Sequence, residues 1–214
     1  MQPVKATTTT PTARKVLYGL SLLSGLAGFA CLAVGLWIPA KAELAQYLLE
    51  RAWEKSRISG EPIKAWPWAD SWPVARLTIP SLDFEAIILH EAGGEGLAFG
   101  PVFLSQSAPI GSTGTSVISA HRDTHFKALA DLKPGAFVTV ETLAGDKDTY
   151  QIDSLRKARW DQSGLTREAL EPRLALTTCW PFGSLTPGPM RFIAEAHLSE
   201  QTAAFNESAE VLPQ

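Results

Sequence analysis

Cysteine is scarce in this chain: 214 residues hold two, Cys31 and Cys179. Cys31 lies inside a long apolar run, so the rest of the sequence owns a single thiol. That excludes an internal disulfide framework and a cysteine-rich zinc module. Basic blocks are missing beyond the N-terminus and the net charge is −3, which argues against a nucleic-acid partner. Acidic residues are scattered, and Asp146, Asp148 and Asp153 lack the glycine-containing spacing of a calcium loop. No metal and no cofactor is therefore expected, and no internal repeat is visible.

What the sequence has in excess is apolar surface, gathered in one place. Seventeen of the 23 residues from Val16 to Ile38 are hydrophobic and none is charged. At a rise of about 1.5 Å per residue such a helix spans a hydrocarbon core of about 30 Å. A soluble helix of that length needs a polar face, and this one has none. Lys5, Arg14 and Lys15 precede it with no acidic residue between them. The basic excess on that side predicts a cytoplasmic N-terminus and an exported C-terminal domain. Ala40-Lys41-Ala42 offers a signal-peptidase-like site, but the apolar run exceeds the 7–15 residues of a signal peptide's apolar region, so an uncleaved anchor is expected. The threonine-rich start, Thr7 to Thr10, is expected to be a disordered tail.

Past the anchor, residues 41–58 read as a short helix, with Leu44, Leu48 and Ala52 on one stripe. The Trp66–Pro73 stretch, with tryptophans at 66, 68 and 72, reads as an extended linker packed onto the domain that follows. From Val74 the pattern is β. Short runs occupy Ala75–Ile79, Ala86–Leu89, Thr115–His121, Ala136–Glu141, Thr149–Leu155, Leu174–Cys179 and Arg191–Leu198. The last run alternates: Phe192, Ala194, Ala196 and Leu198 share one face, and Arg191 lies on the other. Seven or eight such strands imply a mainly β fold, a closed or nearly closed barrel. Segments 122–133 and 162–170 are expected to form short helices.

Cys179 ends a strand and feeds a loop rich in proline and glycine, a common place for a group that meets substrate. A buried, inert thiol satisfies the same pattern. A thiol nucleophile needs a base or a cation. His121 stands at the end of its own strand, as Cys179 does, and Arg191 opens the last strand with its side chain expected outside the core. Asp123 either orients His121 or caps the helix after it.

Together these residues resemble the sortases. That family places a histidine, then a cysteine in a Thr-Leu-x-Thr-Cys stretch, then an arginine on the following strand. Leu176-Thr177-Thr178-Cys179 matches all but the first position, where Ala175 stands. Ala120-His121-Arg122-Asp123-Thr124-His125-Phe126 resembles the histidine segment, and Pro189-Met190-Arg191-Phe192-Ile193 the arginine segment. The resemblance covers roughly residues 73–199. The anchor and the Trp66–Leu77 stretch are most similar to the Gram-negative, marine proteobacterial type.

The resemblance implies a sortase-like barrel of about eight strands with short helices and a cysteine transpeptidase activity. His121, Cys179 and Arg191 would be catalytic. Thr178, Ser119 and Trp180 would be substrate-binding, and Asp123 orienting. The implied partners are a client protein with a C-terminal LPxTG-like sorting signal, an amine acceptor and the inner membrane. The expected layout is a cytoplasmic tail (1–15), a transmembrane anchor (16–38), a helical spacer and linker (39–72), a catalytic domain (73–199) on the outer face of the membrane, and a tail (200–214). Two other readings compete. One is a different exported cysteine hydrolase, although the papain-like order of cysteine before histidine is reversed here. The other is a non-catalytic barrel that binds a partner through loops near Trp160, Trp180 and Phe182.

Overall fold

Alternation of apolar and polar side chains builds most of this molecule. A computed structural model of the chain describes residues 11–90 and 94–199; the expectations for Thr7–Thr10 and for residues 200–214 lie outside that range. Eight strands are present: β1 (Pro73–Ile79), β2 (Phe84–His90), β3 (Val102–Phe103), β4 (Gly114–Ser119), β5 (Phe137–Thr142), β6 (Lys147–Arg159), β7 (Pro172–Cys179) and β8 (Met190–Leu198). They close into a barrel in the order β1-β2-β3-β4-β7-β8-β6-β5. Closure removes the unpaired edges an open sheet would expose. Two neighbouring pairs, β2 with β3 and β4 with β7, run parallel, and the rest are antiparallel.

The core is one face of each strand. On β1, Ala75, Leu77 and Ile79 point inward and are fully buried. Ile88, Ile118, Val138, Val140, Leu174, Leu176 and Ala194 meet them. On β6 the extra residue Asp153 interrupts the pairing with β8 between Ile152 and Ser154. Ile152 packs inward before this bulge and Leu155 after it, because one added residue shifts the alternation by one step.

The structure departs from the sequence reading at three places. β3 has two residues, too short for a periodic signal. Residues 162–170 are not a helix; a 3₁₀ turn at Trp160–Gln162 precedes an irregular loop. That loop's carbonyls serve β4 instead: Thr115 N–H donates to Arg167 O at 3.0 Å and Gly114 N–H to Glu171 O at 3.3 Å. The approach requires glycine at 114, where φ is 116° and a Cβ would stand 2.6 Å from Arg167 O.

The third departure concerns the spacer. Helix α1 runs from Pro11 to Ser59, and the chain divides into two compact units between Leu44 and Ala45. In the first unit the apolar side chains from Val16 to Trp37 are exposed. Among the described residues α1 is one helix long and apolar enough to cross a membrane, by length and composition. In the second unit residues 45–59 are no free spacer, since they pack on the barrel wall. Leu49 and Trp53, the latter wholly buried, form a second core with Ile87, Leu89 and Val102. The Arg76 guanidinium lies 5.7 Å from the Trp53 ring centroid and bonds Glu50 at 2.7 Å and Glu85 at 2.8 Å. The linker is docked too, as expected: Trp66 meets Phe99 edge-on at 4.8 Å and Trp72 stacks on His90 at 4.3 Å. Trp68 remains exposed.

Trp53→Ala should therefore destabilise the barrel unit by about 3–5 kcal/mol, the usual cost of emptying a large aromatic site. Removing residues 1–44 should leave cooperative urea unfolding intact, whereas removing residues 1–59 should abolish it.

Candidate active site

Strand direction brings the candidate residues to one end of the barrel. β4 and β7 are parallel with Ser119 beside Thr177, so both chains leave the sheet at the same edge. Two residues further along each chain stand His121 and Cys179. β8 is antiparallel to β7 and starts at that edge, with Arg191 directly opposite Cys179. Directly opposed residues share a face, with Cβ atoms about 4.5–5.5 Å apart.

That face is the outer one. Leu174, Leu176 and Thr178 of β7 and Phe192, Ala194 and Ala196 of β8 are buried on the inner side. Alternation then places Ala175, Thr177 and Cys179 outside with Ile193 and Arg191. Cys179 is a free, half-buried thiol. Arg191 Nη1 donates to the carbonyls of Gly188 and Met190, both at 3.0 Å, so the guanidinium rests on its own loop. Those acceptors are neutral, and its charge has no carboxylate partner in either bond.

His121 is exposed but its backbone is not free. Ala120 N–H donates to Thr177 O at 3.2 Å, and Thr178 Oγ1 donates to Ala120 O at 2.7 Å. Phe126 N–H donates to His121 O at 3.0 Å, and the Phe126 ring is fully buried. The turn is thus pinned at both ends. His125 bonds the Ala98 backbone, and burial pushes its imidazole below the usual range, partly offset by that bond.

Three further expected site residues have the following surroundings. Thr178 is 2% exposed, faces the core and spends its hydroxyl on Ala120, so it fixes the His121 segment and does not line an outer groove. Trp180 also falls on the inner side. Its ring stacks on Phe192 at 6.3 Å and meets Phe182 edge-on at 5.6 Å, with Lys157 Nζ 4.0 Å from its centroid. These contacts make it a plug for the barrel end. Asp123 does not cap the helix that follows, and its bonds go to Arg122. Its carboxylate accepts two hydrogen bonds from Arg122, at 2.9 and 3.1 Å, and the 3₁₀ helix Lys127–Asp131 begins after Phe126 with no side-chain cap. Ser119 lies on the outer face, one pair along from the site.

Arg122, not singled out from sequence, is the buried charge of the site, with its side chain 7% exposed. It donates to Pro181 O at 2.8 Å and Ser184 O at 2.5 Å as well as to Asp123. Sequence offers one signal for it, its place between His121 and Asp123, and nothing there says that it turns inward. Among the described residues no group of three or more His, Cys, Asp or Glu is disposed to hold a metal ion.

Further along the same outer face, Arg156 of β6 donates to both Glu195 oxygens, at 3.1 and 2.9 Å. These bonds hold the Glu195 carboxyl below its ordinary value of 4.5 despite partial burial. The folded state therefore binds that proton less readily than the unfolded chain. The stabilisation is complete above about pH 4.5 and lost as the pH falls through the lowered folded value. Glu195→Gln should flatten the acid-side loss of thermal stability in that window; melting midpoints of wild type and variant that fall in parallel below pH 4.5 would contradict it.

A family model for the sortase domain matches residues 77–199. Sortase D of Bacillus subtilis (strain 168) is 30% identical over 118 residues, 55% of this chain and 59% of that protein, so the match spans less than two thirds of the relative. A Clostridium perfringens Sortase D5 transpeptidase superimposes with a TM-score of 0.59 at 19% identity, over 73% of this chain and 99% of the other. Sortase A from Corynebacterium diphtheriae gives 0.56 at 24% identity, over 62% and 63% of the two chains. Sortase C-1 from Actinomyces oris gives 0.53 at 25% identity, over 59% and 74%. At such identities the two lower likenesses speak for the fold alone, which is the closed barrel described above. The matched residues 77–199 cover well over half of the chain and contain the His121 turn, Cys179 and Arg191, and the chain belongs to the sortase family.

Proposed function

We propose that this chain is a membrane-anchored cysteine transpeptidase that cleaves a C-terminal LPxTG-like sorting signal and joins the freed carboxyl to an amine. The observation that carries the reading is the placement of Cys179 opposite Arg191 on the outer face, with the His121 segment tied to the same strand end by Thr178.

Cys179 Sγ attacks the carbonyl carbon of the scissile Thr–Gly bond. The C–N bond breaks, His121 gives a proton to the departing amine, and the acyl group stays on sulfur as a thioester. The acceptor amine then attacks the same carbon, His121 takes its proton, and the C–S bond breaks to release the thiolate, restoring the thiolate–imidazolium form in which the pair reacts. Water in place of the amine gives hydrolysis through the same thioester. Arg191 stabilises the oxyanion of both tetrahedral intermediates, a task suited to a guanidinium that is always charged and carries several donors.

The apolar part of α1 supports anchoring, and the basic residues ahead of it support an N-terminus inside and a barrel on the outer face. A client whose signal precedes its own membrane helix would share that bilayer, which raises the effective concentration of signal and enzyme. The assignment to the Gram-negative, marine proteobacterial type rests on the anchor and the Trp66–Leu77 stretch.

Mass spectrometry of the chain incubated with an LPxTG-containing peptide should find an acyl adduct on Cys179. Cys179→Ala should abolish turnover, and His121→Ala and Arg191→Ala should lower it by at least about 100-fold with the fold intact by circular dichroism. Retention of function by Cys179→Ala would instead indicate a non-catalytic binding barrel. Activity of the wild type should be bell-shaped in pH because both the acid and base forms of the pair are needed; a flat profile from about pH 5 to 10 would exclude the pair.

A further inference from the structure

We infer that Arg122 is a positioning residue of the transpeptidase reaction, locking the His121 turn to the segment that follows Cys179. The inference rests on the cysteine-transpeptidase reading above.

The geometry is a bracket. On one side of the catalytic pair, Thr178 joins Ala120 through its hydroxyl. On the other, Arg122 joins Pro181 and Ser184 through two N–H groups. Residues 120 and 122 flank His121, and residues 178 and 181 flank Cys179. Two clamps on either side of two facing residues fix their separation, which neither clamp does alone. The partners of Arg122 are carbonyls of the β7–β8 loop, the same loop whose Gly188 carbonyl receives Arg191. All three candidate catalytic side chains are therefore referred to one loop.

Burial of this guanidinium argues against a purely stabilising role. Taking an arginine out of water is costly, and well-packed apolar residues often stabilise a site as well or better. Here the charge has a single carboxylate partner, Asp123, which is itself 61% exposed, while the Arg122 side chain is 7% exposed. The hydrogen bonds that Arg122 donates to Asp123 raise its pKa against the opposing effect of burial. A fork that reaches two carbonyls and a carboxylate at once also has a geometry that lysine cannot copy.

The test uses the detergent-solubilised full chain with two variants, Arg122→Lys, which keeps charge without the fork, and Arg122→Met, which keeps neither. Wild type must first form the thioester and Cys179→Ala must fail to; if not, the transpeptidase reading itself falls, independently of Arg122. Given that, Arg122→Lys should lower kcat about 10-fold and Arg122→Met about 100-fold, each with KM within about two-fold, since small misplacements near the chemistry cost on this scale. A merely structural role would lower melting temperature and leave kcat within two-fold of wild type in the folded variants, or move kcat and KM together, and either result overturns the inference. Should Arg122→Met fail to fold, Arg122→Lys with kcat within two-fold of wild type overturns it on its own.

Discussion

The site depends on the register of β7 between its two neighbours. β7 is held parallel to β4 with Ser119 at Thr177 and antiparallel to β8 with Cys179 at Arg191. The inner row Leu174, Leu176, Thr178 fixes that register, because a one-residue slip would turn leucines outward and the thiol inward. Core packing and site geometry are thus a single constraint. The burial that stabilises the barrel also decides that Cys179 and Arg191 share an outer face. The parallel pairing with β4 adds His121 at the same edge, which an antiparallel pair would have sent to the far end of the sheet.

Much of this was legible from period-two alternation. The runs at 75–79, 115–121, 174–179 and 191–198 announced their strands, and the outward position of Arg191 followed from Phe192 and Ala194 beside it. Elements without a period were invisible. β3 is two residues long. The 162–170 loop contains helix-forming residues, yet its backbone is claimed by Thr115 and Gly114 of β4, a long-range demand that no local propensity encodes. Trp53 marks a similar limit: it sits on an ordinary amphipathic helix, and only the apolar outer wall offered by Ile87, Leu89 and Val102 turns that helix from a spacer into part of the barrel unit.

The residues beside Cys179 and His121 teach a narrower lesson. Thr178 and Trp180 flank Cys179 in sequence, so the alternation that puts the thiol outside puts both of them inside. Proximity along a strand means opposition across the sheet. The structure turns them into a hydroxyl that fixes the His121 segment and an aromatic plug with Phe182 and Phe192. Asp123 is claimed by its neighbour Arg122 and not by the helix after it, because a bidentate guanidinium–carboxylate pair has stronger, charge-assisted bonds than a cap.

Two arginines therefore stand near Cys179, and their bonding separates their roles. Arg122 is matched by a carboxylate and buried, so its charge is largely balanced and its geometry is fixed. Arg191 donates one nitrogen to two neutral carbonyls, and neither bond gives its positive charge a carboxylate partner. In a tetrahedral intermediate the negative charge appears where none existed in the substrate, and the donor best able to gain from it is the one whose own charge is not already neutralised. On the proposed mechanism, a carboxylate on Arg191 would hold it as firmly as Asp123 holds Arg122 and would cancel the field that oxyanion stabilisation asks of it. Carbonyl partners keep it in place at less electrostatic cost, since the bonds they make are weaker and can be exchanged for stronger ones as the oxyanion forms.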